Sequence, residues 1–134
     1  MKNFTFLFVT ILFVLVLINT SYSQTTFEAN GLEITINSAG VWESDNMFIK
    51  AKDGFTYYTL NVTVINISNK TKNVNPLYFS LIDGEGYKYD ISFIGKEPNF
   101  GYGDLSPNDK LRGYITFEII KGATDLKIQY KSLF

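Results

Sequence analysis

The sequence predicts an all-β protein: an antiparallel β-sandwich of about seven strands, preceded by a signal peptide. Three observations carry that expectation. Apolar and polar residues alternate with a period of two in several runs after residue 31. Clusters of Gly, Pro, Asn and Asp separate those runs at short intervals, as the turns of a sandwich do. No stretch after residue 23 keeps a helical period, and β-branched and aromatic residues fill the apolar positions.

The opening MKNFTFLFVTILFVLVLINTSYSQ has one lysine, an uncharged apolar run of 15 residues from Phe4 to Ile18, and the small-residue pattern Ser21, Tyr22, Ser23. Residues 1–23 therefore read as a cleavable secretory signal peptide. A bilayer core takes about 20 residues to span, so cleavage near Ser23 is expected in preference to a retained anchor. The membrane would be touched only through this segment before cleavage. The chain has no cysteine, so lipid attachment at the cleavage site is not expected. Residues 24–30 read as a linker and 31–134 as one domain, which suits the remaining 111 residues.

Within that domain the strands follow in order. Leu32, Ile34 and Ile36 form one face of an alternating run. In Phe55–Ser68, FTYYTLNVTVINIS, the residues Tyr58, Leu60, Val62 and Val64 oppose Tyr57, Thr59, Asn61 and Thr63. Near its end Ile65, Asn66 and Ile67 reverse the parity, which predicts a bulge or a change of sheet there. SNKTKNVNP reads as a loop, Leu77–Leu81 as a strand, DGEG as a turn and YKYDISFI as a further strand. Residues 95–109 have no periodicity and read as the longest irregular piece. Two alternating runs close the chain, Leu111–Ile119 and Leu126–Tyr130.

The series "YTLNVTVINISNKTKNVNPLYFSLIDGEGYKYD", "LSPNDKLRGYITFEI" and "GATDLKIQY" resembles the secreted, telokin-like family of immunoglobulin-like domains, over roughly residues 31–131. That resemblance implies an immunoglobulin-like sandwich outside the cytoplasm and carries over no catalytic residue. The chain departs from the family at Asn108, where glycine is usual; asparagine tolerates positive φ, so the turn is expected to survive.

Composition excludes much chemistry. The mature chain has 11 basic against 13 acidic residues, which gives no electrostatic reason to bind nucleic acid. Histidine and cysteine are absent, which removes the usual general base, the thiol nucleophile and nearly all zinc sites. DGEG fails the spacing of a calcium loop after Glu85 and reads as a hairpin turn. Gly84-x-Gly86 and Gly101-x-Gly103 lack the third glycine and the helix of a dinucleotide site. Glu43, Asp45, Asp53, Glu97 and Asp104 are loop acids that a carboxylate hydrolase would need to bring together. No cofactor or metal is expected.

Recognition is the remaining class. The candidate ligand-binding residues are the loop aromatics Trp42 and Phe48, beside Met47, together with Phe100 and Tyr102 of the glycine-rich stretch. The partner would be a protein or a cell-surface glycan. The competing reading makes Trp42, Phe48 and Phe100 plugs at the ends of the core. A second candidate surface is the sheet face bearing Tyr57 and Tyr114, against which stands simple β propensity. Asn61, Asn66 and Asn69 each begin a glycosylation acceptor pattern, a signal that depends wholly on the host. The expectation is thus a non-enzymatic binding module, with a ligand-free structural or stress-related envelope protein as the alternative.

Overall fold

The computed structural model describes residues 24–132; the expected signal peptide lies outside them. Among the described residues there are nine strands: β1 (Thr25–Ala29), β2 (Leu32–Trp42), β3 (Phe55–Asn66), β4 (Lys72–Val74), β5 (Phe79–Ile82), β6 (Lys88–Asp90), β7 (Gly103–Leu105), β8 (Lys110–Ile120) and β9 (Lys127–Tyr130). A single 3-10 turn, Pro76–Tyr78, precedes β5. The strands form a four-stranded sheet in the order β1-β2-β3-β8, a three-stranded sheet β6-β5-β9 and a two-stranded ribbon β4-β7, all antiparallel.

The expected alternation builds the core. Leu32 and Ile34 of β2, Leu60, Val62 and Val64 of β3, and Ile115, Phe117 and Ile119 of β8 face inward. Phe79 and Leu81 of β5, Tyr89 of β6, Val74 of β4 and Leu105 of β7 meet them. The rings of Phe79 and Tyr130 pack edge-on at 4.8 Å, and burial, followed by the nearby Tyr78, pushes the Tyr130 phenol up to about 12.

Five local expectations are corrected. The segment read as a linker, 24–30, contains β1. Ala29 and Leu32 pair across a two-residue loop in which Asn30 and Gly31 have φ of 51° and 79°, the geometry for which Asn-Gly is favoured in hairpins. The bulge is not at residues 65–67: β3 keeps its parity to its end, and the register shifts instead in β2 between Ile36 and Ser38. Asn37 is the extra residue, and its amide donates to Asn61 Oδ1 and Thr63 Oγ1 at 2.9 and 2.8 Å. β4 and β7 fall in stretches read as irregular, since three-residue strands are too short to show a period. YKYDISFI shrinks to the three residues of β6, and Phe93 and Ile94 stand exposed.

The fifth correction concerns the face of β3 read as wet. Tyr57 and Thr59 are only 6% exposed and Thr116 of β8 only 3%, because two loops cover that face. Residues 91–100 run along β8: Ile91 bridges Phe117, the Ser92 amide donates to the Thr116 carbonyl, and the Lys96 amide donates to Thr116 Oγ1. The same segment returns where Asn99 bridges Tyr114 and brings its backbone onto Gly113, where an added Cβ would lie 2.6 Å from the Phe100 Cα. The missing side chain of Gly113 thus makes the space that Phe100 fills.

At the end of β3 a polar residue occupies a core position. Asn66 is fully buried, and its amide donates to the Lys70 and Leu105 carbonyls at 2.7 and 2.8 Å. Its Oδ1 accepts from the Ser68 amide and hydroxyl at 2.9 and 2.7 Å. The Asn66 backbone closes two more bonds, to Asp109 and Asn108, the latter at the expected positive φ of 72°. Removing the side chain takes a donor from the Leu105 carbonyl and an acceptor from the Ser68 amide, while the Lys70 carbonyl keeps the Ser68 hydroxyl, so Asn66→Ala is expected to cost about 3 kcal/mol in urea unfolding.

Candidate functional site

The end of the sandwich where β2 leaves the sheet and β3 enters it carries a cleft of about 370 Å³. Its walls come from Trp42 at the end of β2, Met47 and Ile49 on the connecting loop, Tyr57 of β3, and Lys121 after β8. The register sets Trp42 opposite Tyr57 and Tyr57 opposite Glu118, so the three side chains lie in one row across the sheet. The Trp42 and Tyr57 rings pack at 5.7 Å with a 46° tilt. Tyr57 is buried beneath and Trp42 remains half-exposed above it. Burial, then the Glu118 carboxylate, raises the Tyr57 phenol above its ordinary range, so the ring acts as a neutral hydrogen-bond donor, here to the Lys50 carbonyl at 3.4 Å.

The loop is shaped by its own polar residues. Asn46 accepts from the Phe48 amide at 2.9 Å through its side chain and from the Ile49 amide at 3.0 Å through its carbonyl. Met47 and Phe48 therefore take the central positions of a tight turn and project outward, 73% and 88% exposed. The returning arm is tied down where the Lys52 amide donates to Glu118 Oε2 at 2.8 Å and the Lys52 ammonium lies 4.1 Å from the centroid of the Phe55 ring. Ser44, Asn46, Glu43 and Lys50 supply polar groups around the aromatic floor.

Of the four candidate ligand-binding residues, Trp42 lines the cleft, and Phe48 stands exposed on the connecting loop outside its lining. Phe100 is buried in the core, edge-on to Phe79 at 5.8 Å, which matches the plug reading for that residue. Tyr102 is exposed, but it precedes β7, and its neighbour Phe100 bonds to Tyr114, four residues along β8 from the row of Trp42. Four residues of strand span about 13 Å, so the patch of four does not exist. The second candidate face is covered too: Tyr57 lies beneath Trp42, and the Lys96 ammonium lies 4.5 Å from the centroid of the Tyr114 ring.

The loop acids stand in separate settings. Glu43 lines the cleft, Glu97 accepts from Asn99, and Asp104 accepts from Asn73 across the β4-β7 ribbon. Among the described residues no group of three or more His, Cys, Asp or Glu is placed to hold a metal ion. Of the three acceptor-pattern asparagines, Asn66 is buried, Asn61 is half-buried and bonded to Asn37, and Asn69 is exposed.

The DGEG stretch is a hairpin turn between β5 and β6, with Gly86 at φ 91°. Asp83 organises it. One carboxylate oxygen accepts from the Glu85 and Tyr87 amides at 2.9 and 3.0 Å, and the other from the Tyr89 hydroxyl at 2.7 Å. The Tyr89 hydrogen bond, with those from the backbone, holds Asp83 below the usual carboxylate range, while burial and the Asp83 bond raise the Tyr89 phenol. A depressed carboxyl contributes stability that is present above its unfolded value and lost as pH falls through the folded one. Acid titration of folding is therefore expected to show a loss beginning near pH 3.8 and continuing below it, and Asp83→Ala is expected to flatten that part of the curve while lowering the melting temperature at neutral pH.

Residues 22–134 match the family model described as a domain of unknown function, DUF4352. The chain belongs to the DUF4352 family. Among curated proteins none matches the sequence. Similar solved structures come from several bacteria. The ycdA protein of Bacillus subtilis, described as a candidate lipoprotein, aligns at a TM-score of 0.68 and 17% identity over 84% of this chain; the DUF4352 chain spans only 35% of that protein. The yjhA protein of Bacillus subtilis aligns at 0.61 and 23% identity, covering 79% of this chain and 76% of the other. MPT63, a secreted protein of Mycobacterium tuberculosis, aligns at 0.55 and 11% identity, covering 84% and 86%. At these identities the likeness is one of fold, a β-sandwich.

Proposed function

We propose that this DUF4352 chain is a non-enzymatic binding module working outside the cytoplasm, and that it recognises a protein or cell-surface glycan through the β2–β3 cleft. One observation carries the proposal: a half-exposed tryptophan, held from below by a buried tyrosine, forms the floor of a cleft ringed by Ser44, Asn46 and Lys50. Rigid aromatic floors bury large area at low entropic cost, while the polar rim fixes orientation. Met47 and Phe48, displayed by the Asn46 turn, add apolar surface that an isolated domain gains nothing by exposing. The extracytoplasmic location is supported by the expected signal peptide and by neighbours described as secreted or as a candidate lipoprotein, although this chain has no cysteine. The telokin-like relationship is supported by the fold shared with MPT63. The alternative, an envelope protein with no specific ligand, draws on Phe100, one of the four loop aromatics, which serves the core.

Trp42 is the sole tryptophan, so its fluorescence reports on the cleft directly. Titration with cell-wall polysaccharide and with secreted protein from the producing organism is expected to change that emission saturably. Met47→Ser, in the cleft wall, is expected to weaken the response about tenfold, as loss of a contact buried by the ligand does, and Tyr102→Ser to leave it alone. Equal responses from wild type and Met47→Ser would reject the cleft as the site.

A further inference from the structure

The outer face of the four-stranded sheet continues past the loops that bury Thr59 and Thr116. There Asn61 stands opposite Tyr114, Thr63 opposite Arg112 and Ile65 opposite Lys110. Asn61 and Thr63 are half-buried, while Arg112 and Lys110 are exposed. A shallow depression of about 390 Å³ is lined by Thr63, Lys110, Leu111 and Arg112. In the row of Tyr114 the charge comes from Lys96, whose ammonium rests over that ring.

The polar groups of this face have hydrogens to donate and no acceptor for them. The Asn37 amide spends both of its hydrogens on Asn61 Oδ1 and Thr63 Oγ1, and the Asn37 oxygen accepts from Gln24 at 3.3 Å. Asn61 thus has its acceptor filled and keeps its amide hydrogens, and Thr63 keeps its hydroxyl proton, with no acceptor for either among the described residues. Arg112, the chain's one arginine, Lys110 and Lys96 have no carboxylate partner among the described residues. The acids around the face are placed elsewhere. Ile65 stands between Glu33 and Lys110, and Glu33 faces Glu28. Asp109 accepts from the Ser106 amide, Glu97 from Asn99, and Glu118, two rows beyond Tyr114, from the Lys52 amide. The near-balanced total charge therefore hides a local excess of donors and of positive charge.

We propose that this face binds an extended polyol-phosphate polymer, with successive phosphodiesters set against Lys110, Arg112 and Lys96. Outward positions on a strand recur about every 7 Å, so the three cations lie in three successive rows rather than converging on one point. That arrangement suits a repeated acid group better than a single one. Three bonds of an extended backbone span about 3.5 Å, so the six bonds that join neighbouring phosphates through a glycerol reach about 7 Å and match the row spacing. The Arg112 guanidinium can grip two oxygens of the central phosphate, with the Thr63 hydroxyl and the Asn61 amide beside it. A single-stranded nucleic acid has the same backbone spacing but needs rings on which to stack its bases, and the one ring of these rows, Tyr114, is capped by Lys96. The face shares no residue with the β2–β3 cleft, and Thr63 lies six residues along β3 from Tyr57, about 20 Å away, so binding here is tested without reference to that site.

The test uses the exported protein and a synthetic glycerol-phosphate hexamer, followed by amide chemical shifts. Saturable shifts are expected at Asn61, Thr63 and Lys110–Tyr114, and the logarithm of the binding constant is expected to fall with that of salt concentration with a slope of about −2, as three neutralised phosphates require. Arg112→Gln is expected to weaken binding about tenfold and to reduce the slope by about 0.7 while leaving the melting temperature unchanged, since the side chain is exposed. Arg112→Lys is expected to keep the slope and still bind more weakly, because the charge remains and the two-pronged contact does not. Lys127→Gln removes the same charge from β9 in the other sheet and is expected to change nothing. Absence of saturable shifts, or equal loss from Arg112→Gln and Lys127→Gln, would overturn the proposal. So would a thymidine hexanucleotide or a galacturonate hexamer that binds as tightly as the glycerol phosphate, since the face would then not select this polymer.

Discussion

A single buried amide decides how this sandwich closes. Alternation along β3 brings Val62, Val64 and then residue 66 into the core, and residue 66 is an asparagine with no exposure at all. Burying an unpaired amide is costly, so the fold is consistent only if every polar atom of Asn66 finds a partner. Each does, and the partners come from three different places: Ser68 and Lys70 in the turn after β3, Leu105 at the end of β7, and the Asn108–Asp109 turn into β8. An apolar side chain would fill the volume without fixing those segments relative to one another. Asn66 therefore sets the position of the β4-β7 ribbon, and with it the start of β8.

From that fixed start β8 runs eleven residues and receives the segment 91–100 along its far edge. That segment buries Thr116 and inserts Phe100 over Gly113, so a stretch without regular structure is as much part of the core as a strand. The opposite edge is treated differently. Among the described residues β1 pairs with β2 only as far as Ile36, and the loop beyond β2 displays Met47 and Phe48. The β8 edge is covered by backbone, although Phe93 and Ile94 of the covering segment stand exposed, while the β2–β3 loop displays its apolar side chains around a cleft. The cleft proposed for recognition is built from that loop and the strand ends it joins.

Much of this was legible from residue patterns. The long strands β3 and β8 were visible because eleven or twelve residues give a period room to repeat, and their inward faces were assigned correctly. β4 and β7 have three residues each, too few to show alternation, whereas β6, equally short, lies within the strand read over YKYDISFI. β1 ends at Asn30-Gly31, a two-residue hairpin turn that the linker reading of 24–30 does not use. Asn66 interrupts the apolar pattern and so predicts a bulge or a change of sheet, whereas a partner that lets it stay in register, the Leu105 carbonyl, is distant in sequence. At the candidate site, exposure followed from local turn chemistry at Met47 and Phe48. Burial of Phe100 followed from the absence of a side chain at Gly113, and that contact cannot be read from either segment alone.

The role of Asn66 is best measured by native-state hydrogen exchange at the amides of Asn66, Ser68 and Asn108. All three are bonded within the Asn66 cluster, two of them in segments that are otherwise turns. If the cluster closes the sandwich, these amides exchange only with global unfolding and share the protection of Val62 and Val64. Exchange of Ser68 and Asn108 at the rate of the exposed loops, with β3 still protected, would show that the turns open independently and that the buried amide does not hold the fold together.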